Sequence, residues 1–147
     1  MVQYSLASAT NSDFEFLYEL KKIAYKEYVQ QVWGWDEAFQ INFYKNSLAE
    51  GNTKIIKTNE VPIGSVDVKE NDKSIFISGL YLSRQYQSKG IGTAIILDLI
   101  KKAEFDGKQL ELEVLRVNTK AIKFYKRLGF AMEERDKNKY FMYRRPS

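Results

Sequence analysis

A chain of 147 residues, 44% hydrophobic and 29% charged, is long enough to bury one core and too short for two full domains, so residues 1–147 are read as a single domain. It contains no cysteine and no histidine, which excludes a disulfide framework, a thiol nucleophile, Cys- or His-ligated metal sites and any triad built on imidazole. The net charge of +4 is uneven: residues 1–70 carry −3 and residues 71–147 carry +7, so the second half suits an anion and the first a cation.

The elements read as follows in chain order. Val2–Ser8 alternates weakly as a first strand, and Thr10–Asp13 supplies helix-capping side chains. Leu17, Leu20, Ala24 and Tyr28 recur at helical spacing, which predicts an amphipathic helix over 12–29. Gly34 breaks it, and Asp36 caps a second helix to about Glu50 with Phe39, Phe43 and Tyr44 as its apolar positions. Thr53–Thr58 and Val61–Val68 read as a hairpin around Asn59-Glu60, although the favoured Asn-Gly pair is missing. Ser74–Leu82 is the most strand-like run, with Gly79 inside it marking a bulge or a close approach by a ligand. Gly90–Phe105 reads as a helix apolar nearly all round in its first turns, hence buried. Gln109–Val117 alternates as a strand, Asn118–Leu128 as a helix with Asn118 as N-cap and Gly129-Phe130 as its stop. Phe130–Arg135 and Lys139–Arg144 close the chain as a hairpin, so the order is βααβββαβαββ, an α/β fold with a mixed sheet.

Two stretches carry chemistry. Gln87-Ser88-Lys89-Gly90-Ile91-Gly92-Thr93 lies between the strongest strand and the buried helix; its glycines allow a tight turn with exposed N–H groups, and the helix start adds positive potential, together a cradle for pyrophosphate. It is not a dinucleotide fingerprint, which needs Gly or Ala where Ile95 stands, and no phosphate-binding G-x-x-x-x-G-K-[ST] occurs. The second stretch is Asn118-x-x-Ala121-x-x-Phe124-Tyr125-x-x-x-Gly129-Phe130, in which capping, packing and termination explain every residue except the phenol on the packing face.

Leu82 to Thr93 resembles the acetyl-CoA signature Q/R-x-x-G-x-G/A of the GCN5-related N-acetyltransferases (GNAT), and Leu112 to Phe130 is similar to that family's second motif. The two occur in the expected order and on the expected elements, and the resemblance covers about 75–145. It implies a mostly antiparallel central sheet flanked by helices, and acetyl-CoA as co-substrate. By matching position, the backbone of Leu80, Tyr81 and Leu82 would pair with the pantetheine arm and donate to the thioester carbonyl. Amides of Gln87, Ser88, Lys89, Gly90, Ile91, Gly92 and Thr93 would hold the pyrophosphate. Asn118, with Ala121 and Phe124 beside it, would contact the cofactor arm, and Tyr125 would face the sulfur as general acid. Where some members place a glutamate base this chain has Phe76, and Ile75–Leu82 contains no carboxylate.

The expected reaction is direct transfer of acetyl to a primary amine, without an acyl-cysteine. A lysine-like amine is only about one part in 2,500 neutral at pH 7, so a base is needed, with Asp67, Glu113, Asp36 and Glu37 as candidates. Trp33, Trp35 and Glu37, between the first two helices, lie where the family builds its acceptor wall, and rings with a carboxylate suit a cationic amine. The acceptor is expected to be a small molecule or a peptide, no metal is called for, a homodimer is admitted, and the location is cytoplasmic because neither a leader nor a membrane-spanning stretch is read. Two rivals remain: a basic nucleic-acid-binding module, disfavoured because its Lys and Arg are interleaved with acidic residues, and a non-catalytic CoA sensor.

Overall fold

The computed structural model describes residues 3–147, and their elements follow the order read from the sequence. They are β1 (Ser5–Ser8), α1 (Phe14–Trp33), α2 (Glu37–Ala49), β2 (Thr53–Thr58), β3 (Val61–Glu70), β4 (Ser74–Leu82), α3 (Ile91–Asp106), β5 (Gln109–Leu115), α4 (Thr119–Arg127), β6 (Ala131–Glu134) and β7 (Lys139–Arg144). The strands follow one another in the hydrogen-bonded order β1-β2-β3-β4-β5-β7-β6. β4–β5 is parallel, while β1–β2, β2–β3, β5–β7 and β6–β7 are antiparallel. This is a mixed α/β fold with a mostly antiparallel sheet and flanking helices. Its contacts divide it into two compact units, the first formed by residues up to Asp67 with Gly79–Gly92, the second by Val68–Ser78 and Thr93–Ser147.

In the first unit, Val2 lies outside the described residues, and β1 starts only at Ser5. The Thr10 N–H donates to Asp13 Oδ2 at 2.8 Å, a 3-10 turn follows, and α1 runs four residues past its expected end, until Gly34 at φ 79° stops it. The Asp36 carboxylate caps α2 by accepting from the Phe39 N–H at 3.0 Å. Of the three apolar positions read into α2 only Tyr44 is buried; Phe39 and Phe43 are exposed and stack on each other, 6.1 Å between ring centres. The core side of α2 is instead set by Tyr44 and Leu48, four residues apart, which cluster with Leu17, Tyr18 and Ile55. The β2–β3 hairpin closes on Asn59 and Glu60, both at positive φ, the conformation a two-residue turn needs to match strand twist.

In the second unit, the β4–β5 ladder starts at Ser74↔Gln109 and ends at Ile77↔Leu112, while β5 continues along β7 to Leu115, two residues short of the expected Val117. Ile75, Ile77, Leu110, Leu112, Ile96 and Met142 are buried there. On α4, Ile122 and Tyr125 form the buried face, with Ala121 and Leu128 only half-buried. The helix stops as its sequence requires: Gly129 has φ 90°, Phe130 N–H returns to the Tyr125 carbonyl at 3.1 Å, and the buried Phe130 ring packs edge-on against Tyr125. Among the described residues no helix is long and apolar enough to cross a membrane.

Candidate active site

The turn from β4 into α3 has the backbone of an anion-binding nest. Ser88 (φ 60°) and Gly90 (φ 85°) both adopt left-handed conformations on either side of Lys89, and all three residues are exposed. Alternation of hand along a short stretch turns successive N–H groups toward one side, and the start of α3 adds its dipole. The turn is anchored at both ends. Gln87 Nε2 donates to the Leu82 carbonyl at 2.9 Å, and Ile91 is buried. Gly92 and Thr93, in the first turn of α3, are half-buried.

Leu80, Tyr81 and Leu82 complete β4 beyond Ile77, the last residue paired with β5. Their end is held from the β3 side, where the Ser83 N–H donates to the Ile63 carbonyl at 2.8 Å. Gly64 of β3 is required there, since a side chain would collide with the Tyr81 carbonyl. At Gly79 the chain itself comes close: an added Cβ would lie 2.8 Å from Tyr81 Cε2 and 3.0 Å from Asp67 Oδ2.

The acceptor-side residues are largely committed to holding α1 and α2 together. Glu37 accepts from Trp35 Nε1 at 2.6 Å, from Lys22 Nζ at 2.9 Å and from the Tyr18 hydroxyl at 2.9 Å. These donors, the indole foremost, hold its carboxyl down at about 2, while burial first and Glu37 second push Tyr18 up to about 12. Trp35 also offers its face to Lys26, 5.9 Å away, whereas Trp33 is exposed. Asp36 is the α2 cap, and Glu113 is exposed.

A buried polar cluster in the first unit is only partly legible from sequence. Lys21, Thr53, Ser65 and Asp67 are all below one-tenth exposed, and Lys21 Nζ lies over the rings of Phe43 (5.1 Å) and Tyr44 (4.8 Å). Burial pushes the Lys21 ammonium down, opposed by the Asp67 charge; burial and then Asp67 push the Tyr44 phenol up. A signal for it does exist: Ser65 and Asp67 sit two apart in the otherwise apolar run Val61–Val68, and Lys21 falls one turn after Leu17 on the apolar stripe of α1.

In the second unit, Asn118 Oδ1 accepts from the Ala121 N–H at 3.1 Å, which caps α4. Phe124 packs edge-on against Tyr125, 5.0 Å between ring centres, and Tyr125 is buried enough that its phenol is pushed well above the usual range. Among the described residues no group of acidic side chains is arranged to hold a metal ion.

The sequence is 32% identical over 110 residues to N-alpha-acetyltransferase 50 of Danio rerio, covering 70% of this chain and 66% of that one. It is 31% identical over 111 residues to the probable N-acetyltransferase san of Drosophila melanogaster, covering 71% and 60%. The matched stretch thus spans about two thirds or less of these curated relatives. The fold is similar to that of Arabidopsis thaliana Naa50, solved with the bisubstrate analogue CoA-Ac-MVNAL, with a TM-score of 0.64, 21% identity and 97% of each chain covered. Residues 14–130 match the acetyltransferase (GNAT) family, and with both motifs on the elements that family requires, the chain belongs to it.

Proposed function

We propose that this chain is an acetyl-CoA-dependent N-acetyltransferase that delivers acetyl to a primary amine by direct attack in a ternary complex. The observation that carries this reading is the β4–α3 turn, where Ser88 and Gly90 hold left-handed backbone at the family's pyrophosphate motif. The residues present fit the group: Gln87–Thr93 offer N–H groups and a helix start to the pyrophosphate, and Lys89 adds charge. Leu80–Leu82, running past the last β4–β5 pair, offer a strand edge to the pantetheine arm and fixed donors to the thioester carbonyl. Asn118 uses its carbonyl as a cap and keeps an amide N–H₂ to donate, with Ala121 and Phe124 alongside. When bound, acetyl-CoA supplies the activated acetyl thioester. Tyr125 then serves as a proton donor toward the leaving sulfur, a modest one because burial weakens it as an acid.

The names of the relatives favour an α-amine of a peptide over a free small amine. An α-amine, with pKa near 8, is roughly a tenth neutral at pH 7, an easier nucleophile than a lysine side chain. The family match includes residues of both compact units, which supports one acetyltransferase domain over 1–147.

Thermal unfolding with acetyl-CoA, against NAD and ATP as controls, tests the reading. At a hundredfold excess over Kd the folded state gains about 2.7 kcal/mol, several degrees for a domain of this size. A shift confined to acetyl-CoA, followed by thiol release with peptide amines, is the expected result; no shift at millimolar ligand overturns it.

A further inference from the structure

We propose that Asp67 is the general base of this chain, taking the proton of the acceptor ammonium at the α-carbon of Gly79. The inference rests on the acetyl-transfer reading above and fills the gap left by Ile75–Leu82, which holds no carboxylate. Gly79 immediately precedes Leu80–Leu82, the donors assigned to the thioester carbonyl. Only the missing side chain at Gly79 leaves Asp67 Oδ2 and the Tyr81 ring against that backbone, and any Cβ would crowd both. The carboxylate therefore stands beside the strand at the point where an attacking nitrogen must lose a proton.

The surroundings suit the role. Lys21 of α1, Tyr44 of α2, Thr53 of β2, Ser65 of β3 itself and Tyr81 of β4 face or adjoin Asp67. The Tyr44 and Ser65 hydroxyls are both buried in the same cluster. Lys21 favours the ionised carboxylate, and its Nζ lies over the Phe43 and Tyr44 rings. Of the other candidates, Asp36 caps a helix, Glu37 binds three donors, and Glu113 is exposed to solvent in the second unit.

The protons balance. R–NH₃⁺ gives one proton to the Asp67 carboxylate, and the free amine forms the C–N bond to the thioester carbon. The C–S bond breaks as Tyr125 gives its proton to the departing sulfur, the second nitrogen proton restores that phenol, and Asp67 returns its proton to solvent. The products are the amide, CoA thiol and one proton.

The test is the pH profile of kcat/KM for wild type and Asp67→Asn, with a free-α-amine peptide and with Nα-acetyl-lysine methylamide as acceptors. The wild-type profile is expected to bend below the amine's own pKa. In Asp67→Asn the bend disappears and the rate climbs tenfold per pH unit toward that pKa, with a deficit of about 10²- to 10⁴-fold at pH 7 that shrinks as pH rises and is larger for the lysine amine. An unchanged profile, or an equal loss at every pH, overturns the proposal; an unshifted acetyl-CoA melting response shows that the variant is folded. Should Asp67→Asn not fold, Gly79→Ala closes the approach to the carboxylate, and a wild-type rate at pH 7 in that variant overturns the proposal equally. Wild type that releases no thiol with any amine overturns the acetyl-transfer reading and this inference together, whereas active wild type with an unaltered Asp67→Asn overturns this inference alone.

Discussion

The Tyr18 hydroxyl donates to the Glu37 carboxylate across 2.9 Å, joining the first helix to the start of the second, nineteen positions along the chain. Glu37 is held ionised down to about 2, so its contribution to stability is present above the unfolded carboxyl range near 4.5 and is lost as pH falls toward 2. Tyr18 is held protonated up to about 12, so its contribution is present below 10 and is lost as pH rises toward 12. The urea midpoint of wild type should therefore exceed that of Glu37→Gln by a constant amount between pH 5 and 9 and converge on it toward pH 2. Tyr18→Phe should cost about 0.5–1.5 kcal/mol at neutral pH, the worth of one hydrogen bond. A midpoint difference that is flat from pH 2 to 5 would remove Glu37 from the account.

At the β4–α3 turn, Gly90→Ala places a Cβ on a residue at φ 85°, a conformation that costs an L side chain roughly 1–2 kcal/mol. Relief of that strain would reorient the N–H groups beside Ser88, so acetyl-CoA binding measured by calorimetry should weaken at least about tenfold, in keeping with that cost. Lys89→Ala leaves the backbone unchanged and should lose less, with a deficit that fades in high salt.

The observed capping by Asn118 and its proposed amide contact to the cofactor can be separated. Asn118→Ala loses the cap and should destabilise the fold by about 0.5–2 kcal/mol by denaturant unfolding. Asn118→Asp keeps a cap oxygen but loses the amide donor, so it should retain stability while acetyl-CoA affinity falls. Equal affinity in Asn118→Asp and wild type would confine the residue to capping.

Tyr125→Phe should lower kcat by less than about 10²-fold and leave acetyl-CoA affinity intact, because a phenol pushed above its usual range by burial is a weak donor to a thiolate. The phenol stays protonated throughout the working range, so the variant should have the same pH limbs as wild type. Loss of cofactor binding on this change would make Tyr125 a packing residue, a role its edge-on contacts with Phe124 and Phe130 already supply.

The order of elements is legible because each period is local. The Ser74–Leu82 run, the Gly34 stop, the Asp36 and Asn118 caps and the Gly129-Phe130 ending depend on neighbours within a turn or a strand, and the structure has all of them. The turn before α3 is legible only in part, since Gly90 is a residue type that admits left-handed backbone, whereas Ser88 adopts it against its type and Gly92 lies in the first turn of α3. Phe39 and Phe43 depart from expectation because hydrophobicity ranks residues without saying which face of α2 meets the core; Tyr44 and Leu48 set that face through contacts with α1 and β2.

Short-range spacing therefore encodes a family resemblance, an element order and the glycine-containing turn before α3, each readable from residues that are neighbours along the chain. Which carboxylates are available is settled by folding instead. Glu37 and Asp67 look equivalent as acidic positions in a sequence, yet one is enclosed by three donors at a helix junction, and the other is buried beside Gly79 of the neighbouring strand. Ionisation and reach depend on desolvation and on partners drawn from α1, α2, β3 and β4, and those contacts exist only once the chain has folded.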